Sequence, residues 1–221
     1  MARGRSAPEG RLGLFGGTFN PIHYGHLRAA EEVIEALRLT RLWFLPAAQP
    51  PHKTTPTPFA VRLEMTRLAV GRHPVISVSD LEGRRPGKSY SIETLRLIRQ
   101  DLGAAWEIYF ILGLDAILEI TTWKDYRELF HQCHFVVLDR PGYDRRHLEE
   151  VLRREVDAAI QPLAETAGFR HPSGNKILWQ NTTLLGISAS QIRGLVGQGC
   201  SIRYLLPEPV RRYILKNKLY R

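Results

Sequence analysis

The sequence predicts an α/β protein whose centre is a doubly wound parallel sheet. Three observations lead there. Short apolar runs alternate with longer stretches of helical periodicity along most of the chain. The run Trp106–Leu112 is almost wholly apolar, which suits a central strand covered on both faces. The stretch LFGGTFNPIHYGH, Leu14 to His26, places glycines and a turn directly after the first apolar run. Repeated β-then-α alternation implies right-handed crossovers, and ligands of such sheets sit beyond the carboxyl ends of the strands, where the strand order reverses.

Leu12–Phe15 reads as the first strand, broken by Gly16 and Gly17, and Asn20-Pro21 makes a turn. His23 and His26 then open a helix over His26–Leu37, in which Leu27, Ala30, Val33, Ile34 and Leu37 form one apolar face. Arg41–Leu45 is the second strand, ended by Pro46. The prolines of PAAQPPHKTTPTP forbid a regular element and predict a long exposed loop. Phe59–Val70 reads as a helix, Val75–Val78 as a strand, Tyr90–Leu102 as a helix and Trp106–Leu112 as the central strand. Trp123–Phe130 is a short helix, Phe135–Leu138 a strand and Asp144–Ile160 a helix. After the bridge AGFRHPSGNK, Ile177–Trp179 is a last strand, and Ser188–Val196 and Pro209–Lys216 are closing helices. Residues 1–10 read as a flexible leader. Residues 11–221 read as one domain whose helical C-terminal part starts at about 188.

Composition narrows the function classes. A hydrophobic share of 43% with 24% charged residues is that of a globular chain with a real core. The net charge of +9 favours anionic partners (nucleotides, nucleic acid or anionic lipid), or it serves only a solvated surface. Arg211, Arg212, Lys216 and Lys218 fit a solvated helix face better than a nucleic-acid platform, which would interleave aromatics. Cys133 and Cys200 match no metal or redox spacing, and no run reaches the ~20 apolar residues of a membrane span. A cytoplasmic protein, with no membrane and no nucleic acid as partner, fits best.

The chemistry concentrates in two places. Gly16 and Gly17 let the backbone approach a ligand closely, leaving the amides of Thr18 and Phe19 to face an anion. The helix that follows adds orphan N–H groups and the positive end of its dipole. Histidines three apart share a helix face, so His23 and His26 can converge on one phosphate. An ordinary tight turn with packed histidines is the competing reading. Near the C-terminus, ISASQIR offers Ser188 and Ser190 as helix caps and hydroxyl donors, with Arg193 one turn on as a planar, always-charged fork.

GGTFNPIHYGH resembles the G-x-F-x-P-x-H-x-G-H signature of the nucleotidylyltransferase superfamily, and ISASQIR resembles its second signature, I-S-x-[ST]-x-x-R. The two lie about 160 residues apart in the expected order. Within the superfamily, PPHK, ILGLDA, TTWKDY, VVLDRPGY and LLPEPVRRYILKNKLYR make the chain similar to the bacterial nicotinate-nucleotide adenylyltransferases from Leu12 to Arg221. The resemblance implies a Rossmann-like nucleotidyltransferase fold and a transferase of NAD biosynthesis. Its implied reaction joins ATP and nicotinate mononucleotide into nicotinate adenine dinucleotide and pyrophosphate. Mg²⁺ arrives on the ATP, and no protein metal site is expected.

The resemblance also implies roles. Gly16, Gly17, Thr18, Phe19, His23, His26, Asp115, Ser188, Ser190 and Arg193 would bind ATP, with His23, His26 and Arg193 at the reacting phosphates. Asp115 would take the adenosine ribose, or else cap a helix. Trp123 would stack on the nicotinate ring, or else fill the core. His52 and Lys53 would meet the mononucleotide phosphate, and Tyr90 and Ser91 would read the carboxylate by backbone donors. Ser190 stands where the family often has Thr, and Leu114 where a polar or small residue is common. A sister transferase acting on nicotinamide mononucleotide, phosphopantetheine or an alcohol phosphate is the nearest alternative.

Overall fold

One eight-stranded sheet, in the order β3-β2-β1-β4-β5-β8-β7-β6, organises the described residues. The computed structural model describes residues 10–51, 55–103, 105–139, 145–164 and 166–221. The expected leader, save Gly10, lies outside them, as do His52 and Lys53. The elements are β1 (Gly10–Gly17), α1 (Tyr24–Leu37), β2 (Arg41–Pro46), α2 (Phe59–Val70), β3 (Ile76–Val78), α3 (Ser91–Leu102) and β4 (Trp106–Gly113). They continue with α4 (Leu114–Leu118), α5 (Tyr126–Gln132), β5 (His134–Leu138), α6 (Arg145–Val151), β6 (Gln161–Pro162), β7 (Gly168–Arg170), β8 (Lys176–Gln180), α7 (Ala189–Gly197) and α8 (Glu208–Lys216).

The strands β1 to β5 and β8 pair parallel, and neighbouring residues of each strand bury into opposite layers. Leu12, Leu14, Phe110 and Phe135 join a core with Ile92, Leu95 and Ile98 of α3 and Leu129 and Phe130 of α5. Phe15, Phe44, Ile111 and Val136 join the other, with Ala30 and Val33 of α1, Ile192 of α7 and Val210 and Ile214 of α8. Two apolar layers on one sheet are the doubly wound arrangement. The order reverses between β1 and β4, so the carboxyl ends of these two strands flank the switch point.

Several expectations change. Gly16 and Gly17 do not break β1, which pairs with β2 as far as Gly17 opposite Pro46. The bridge AGFRHPSGNK is not a plain connection, because β7 lies in it and pairs antiparallel with β8, giving the sheet a mixed edge. The turn that closes this hairpin holds Gly174 at φ 90°, a backbone only glycine adopts without strain. The predicted helix 144–160 is α-helical only to Val151 and continues as a π-helical turn over Leu152–Val156. Nor is the proline loop wholly exposed. Thr57 is buried, the Ala47 amide donates to the Gly17 carbonyl at 2.9 Å, and Ser89 Oγ accepts from the amides of Ala48 and Gln49 at 2.9 and 3.1 Å.

Candidate active site

The parallel register sets the site. Phe15 lies opposite Ile111, so β1 and β4 deliver the Gly17 turn and the Gly113–Asp115 turn to the same edge of the sheet. The side-chain space that Gly16 and Gly17 leave open is filled by aromatic rings. An ideal Cβ on Gly16 would stand 3.1 Å from Phe110 Cζ, and one on Gly17 would stand 2.8 Å from Phe19 Cζ. These positions are small because the rings need the room, a reason the sequence reading did not contain.

That turn is braced on several sides. Asn20 is buried, and Arg193 Nη1 donates to its carbonyl at 2.8 Å. Asn20 Nδ2 donates to Thr55 Oγ1 at 2.8 Å, and the Tyr220 hydroxyl donates to Asn20 Oδ1 at 2.6 Å. Burial raises the Tyr220 phenol well above its ordinary range, so it acts as a neutral donor. Phe19 sits at φ 47°, a left-handed conformation that a residue with a Cβ adopts only under external restraint.

His23 is not within α1 but is its N-cap, and His26 is the third helical residue. Cap and third residue still face each other, and the ring centroids lie 3.8 Å apart. The His23 amide donates to His26 Nδ1 at 3.3 Å. An imidazole that accepts at Nδ1 is neutral with its proton on Nε2, which makes Nε2 the donor of His26. Its ring leans edge-on against Phe15 and Phe19, with centroids at 6.2 and 5.1 Å.

Gly25, a signature residue to which the sequence assigns no role, holds this arrangement open. An ideal Cβ there would stand 3.0 Å from His23 Nδ1 and 3.8 Å from the Ile187 carbonyl. The start of the second motif thus abuts the start of α1. Substituting Gly25→Ala is expected to displace the His23 ring and lower kcat about tenfold, with no loss of thermal stability because alanine favours a helix. Steady-state kinetics beside a melting curve checks this, and a variant with wild-type kcat would remove the role.

Ser188 caps α7, its Oγ accepting from the Gln191 amide at 3.1 Å and lying 3.0 Å from Ser190 Oγ. Both hydroxyls are exposed at the helix start. Asp115 is half-buried in the first turn of α4, whose N-cap is Gly113, so the capping alternative for Asp115 does not hold. Leu114 is fully buried in the core beneath α4, which accounts for an apolar residue there.

Trp123 does not belong to α5 as expected. It follows a 3₁₀ turn over Ile120–Thr122, and the left-handed Asp125 then starts the helix at Tyr126. The indole is half-buried and meets Phe110 edge-on at 6.1 Å, the same ring that fills the open face of Gly16. Tyr90 is the N-cap of α3 and Ser91 its first residue. Lys124 bridges the two segments, with Nζ 4.8 Å from the Tyr90 ring and 2.6 Å from Glu93 Oε1. Beside them Arg85 pairs with Glu93 at 2.6 Å, and Thr94 Oγ1 donates to Glu82 Oε1 at 3.0 Å. Burial lifts the Glu82 carboxyl above the usual carboxylate range.

Other chemistries find less support. Burial pushes the Cys133 thiol up to about 12, which makes it inert as a nucleophile. Among the described residues, no three His, Cys, Asp or Glu side chains are grouped to hold a metal ion. No helix among them is long and apolar enough to cross a membrane.

Comparison with known proteins gives the family and the fold. Residues 14–195 match the family described as cytidylyltransferase-like. The chain is 45% identical over 212 residues to the probable nicotinate-nucleotide adenylyltransferase of Geobacter metallireducens, covering 95% of this chain and 98% of that one. It is 45% identical over 213 residues to the protein of the same description from Syntrophotalea carbinolica, covering 96% and 97%. The fold resembles that of Plasmodium falciparum nicotinic acid mononucleotide adenylyltransferase, solved with NaAD, at a TM-score of 0.72 and 20% identity over 96% of this chain and 97% of that one.

Proposed function

Because the chain belongs to the nicotinate-nucleotide adenylyltransferases of the cytidylyltransferase-like family, we propose that its reaction is run by the braced turn and the two helix starts at the switch point. The enzyme joins ATP and nicotinate mononucleotide to give nicotinate adenine dinucleotide and pyrophosphate, a step of NAD biosynthesis. The observation that carries the residue assignment is the Arg193–Asn20 hydrogen bond at 2.8 Å, which closes the second motif onto the first.

The mononucleotide phosphate attacks the α-phosphorus of ATP in line; a new P–O bond forms as the bond to pyrophosphate breaks. The attacking oxygen is already ionised, so the protein supplies no nucleophile and no strong base. Its work is positioning and stabilisation of growing charge. Thr18 and Phe19 amides, with Gly16 and Gly17 behind them, receive the triphosphate. The His26 Nε2 donor and His23 meet the reacting phosphate. Arg193, Ser188 and Ser190 hold the far phosphates, and Asp115 accepts from the ribose hydroxyls.

Trp123 supplies a flat face to the pyridine ring. The N-terminus of α3 at Tyr90 and Ser91 favours a carboxylate over a neutral amide through its dipole. His52 and Lys53 are assigned to the mononucleotide phosphate on the sequence resemblance alone. Mg²⁺ would be carried in on ATP, since magnesium keeps several waters and binds substrate phosphates readily. Bound there, it would neutralise charge on the phosphate oxygens. Residues 11–221 act as one domain, because both apolar layers share one sheet. The free thiols of Cys133 and Cys200 fit a reducing, cytoplasmic setting.

The test is a direct competition. With ATP and Mg²⁺, nicotinate mononucleotide is expected to exceed nicotinamide mononucleotide in kcat/KM by about 10²-fold or more. Preference for the amide would overturn the role of the α3 terminus and leave the phosphate chemistry standing.

A further inference from the structure

Arg62, in α2, has no part in the scheme above, yet among the described residues it is the largest side chain that the fold buries completely. Its guanidinium lies 5.8 Å from the Phe59 ring centroid and donates to three backbone carbonyls. Nη1 donates to Thr18 at 2.8 Å, Nε to Thr57 at 3.1 Å and Nη2 to Ala48 at 3.1 Å. Taking an always-charged group out of water is costly unless every donor is satisfied. Here three charge-assisted hydrogen bonds offset that cost, and each nitrogen of the planar fork serves a different segment. Thr18 belongs to the turn after β1, whereas Ala48 and Thr57 stand near the two ends of the loop from β2 to α2. One rigid group therefore fixes three pieces of backbone relative to one another.

The contact with Thr18 has a directional consequence. The Thr18–Phe19 peptide is trans, and in a trans peptide the carbonyl and the following N–H point opposite ways. Holding the Thr18 carbonyl on the guanidinium turns the Phe19 amide away from α2. The same contact helps restrain Phe19 in its left-handed conformation.

We propose that Arg62 is a positioning residue: it aims the Phe19 amide at the ATP phosphates and ties the β2–α2 loop to the phosphate-binding turn. This rests on reading that turn as the ATP site. A lysine at this position keeps the charge but loses the fork, so it cannot hold three carbonyls in one plane.

The experiment compares wild type, Arg62→Lys and a destabilised control, Leu148→Ala, whose buried side chain lies in the other core layer. Each is assayed well below its melting temperature for kcat and KM, and for binding of pyrophosphate and of adenosine alone. Arg62→Lys is expected to lose about 10²-fold in kcat/KM for ATP. Pyrophosphate binding falls in step, and adenosine binding stays within about twofold of wild type. Leu148→Ala melts earlier but keeps wild-type kcat/KM. Wild-type kinetics and pyrophosphate affinity in Arg62→Lys would overturn the proposal while leaving the enzyme's function intact, as would an equal loss in Leu148→Ala. Absence of dinucleotide from the wild type would overturn the underlying reading as well. Should Arg62→Lys fail to fold, the wild type decides by NMR. The Phe19 amide signal shifts on addition of pyrophosphate if the proposal holds, and an unmoved signal refutes it.

Discussion

His26→Ala is expected to lower kcat by about 10²–10³-fold, the usual cost of removing one preorganised donor from a developing oxyanion. The geometry sets this apart from a general loss of binding. His26 Nδ1 is committed to the His23 amide, so Nε2–H is the donor, and the ring is held by Phe15 and Phe19 rather than by the ligand. A donor fixed before substrate arrives stabilises charge without reorganising. The loss should therefore appear in kcat at saturating ATP and mononucleotide, with a smaller change in KM. Steady-state rates measured with both substrates saturating decide the matter. A kcat within about threefold of wild type would remove His26 from the reacting phosphate.

The largest effect on stability is expected at Phe44. It is fully buried in β2, stacks on Phe15 with centroids 5.2 Å apart and meets Phe19 edge-on at 5.3 Å. Truncation to alanine removes the ring and leaves a cavity that a close-packed layer refills only in part, so Phe44→Ala should cost about 3–5 kcal/mol. For a chain of this size the melting temperature falls by roughly 6–20 °C. Because Phe19 and His26 lean on the same cluster, the folded fraction should also turn over more slowly. Denaturant unfolding gives the first quantity and low-temperature kinetics the second. A loss below about 1 kcal/mol would mean that the layer closes over the gap.

What could be read in the sequence was what repeats or what is spelled in full. α2 forms over Phe59–Val70 as its pattern predicts, and the apolar run Trp106–Leu112 lies within the central strand β4. α4, β6 and β7 were missed because two to five residues carry no measurable periodicity. The histidine pair was visible in its spacing, although the cap position of His23 was not. The glycines were legible as close-approach positions, but spacing cannot reveal that Phe110 and Phe19 occupy their open faces. Arg62 was invisible altogether. Within FAVRLEMTRLAV an arginine looks like the wet side of a helix, and only the folded chain shows three carbonyls waiting for it.

The hydrogen bonds that brace Asn20 reach far along the chain, 173 residues to Arg193 and 200 to Tyr220. During synthesis the turn after β1 leaves the ribosome well before these two braces do. A nascent chain therefore displays the turn, until those braces follow, without the means to hold it in shape. Competence for nucleotide waits on the docking of α7 and the residues after α8. ATP, by binding the docked form alone, would then shelter newly finished molecules from proteolysis.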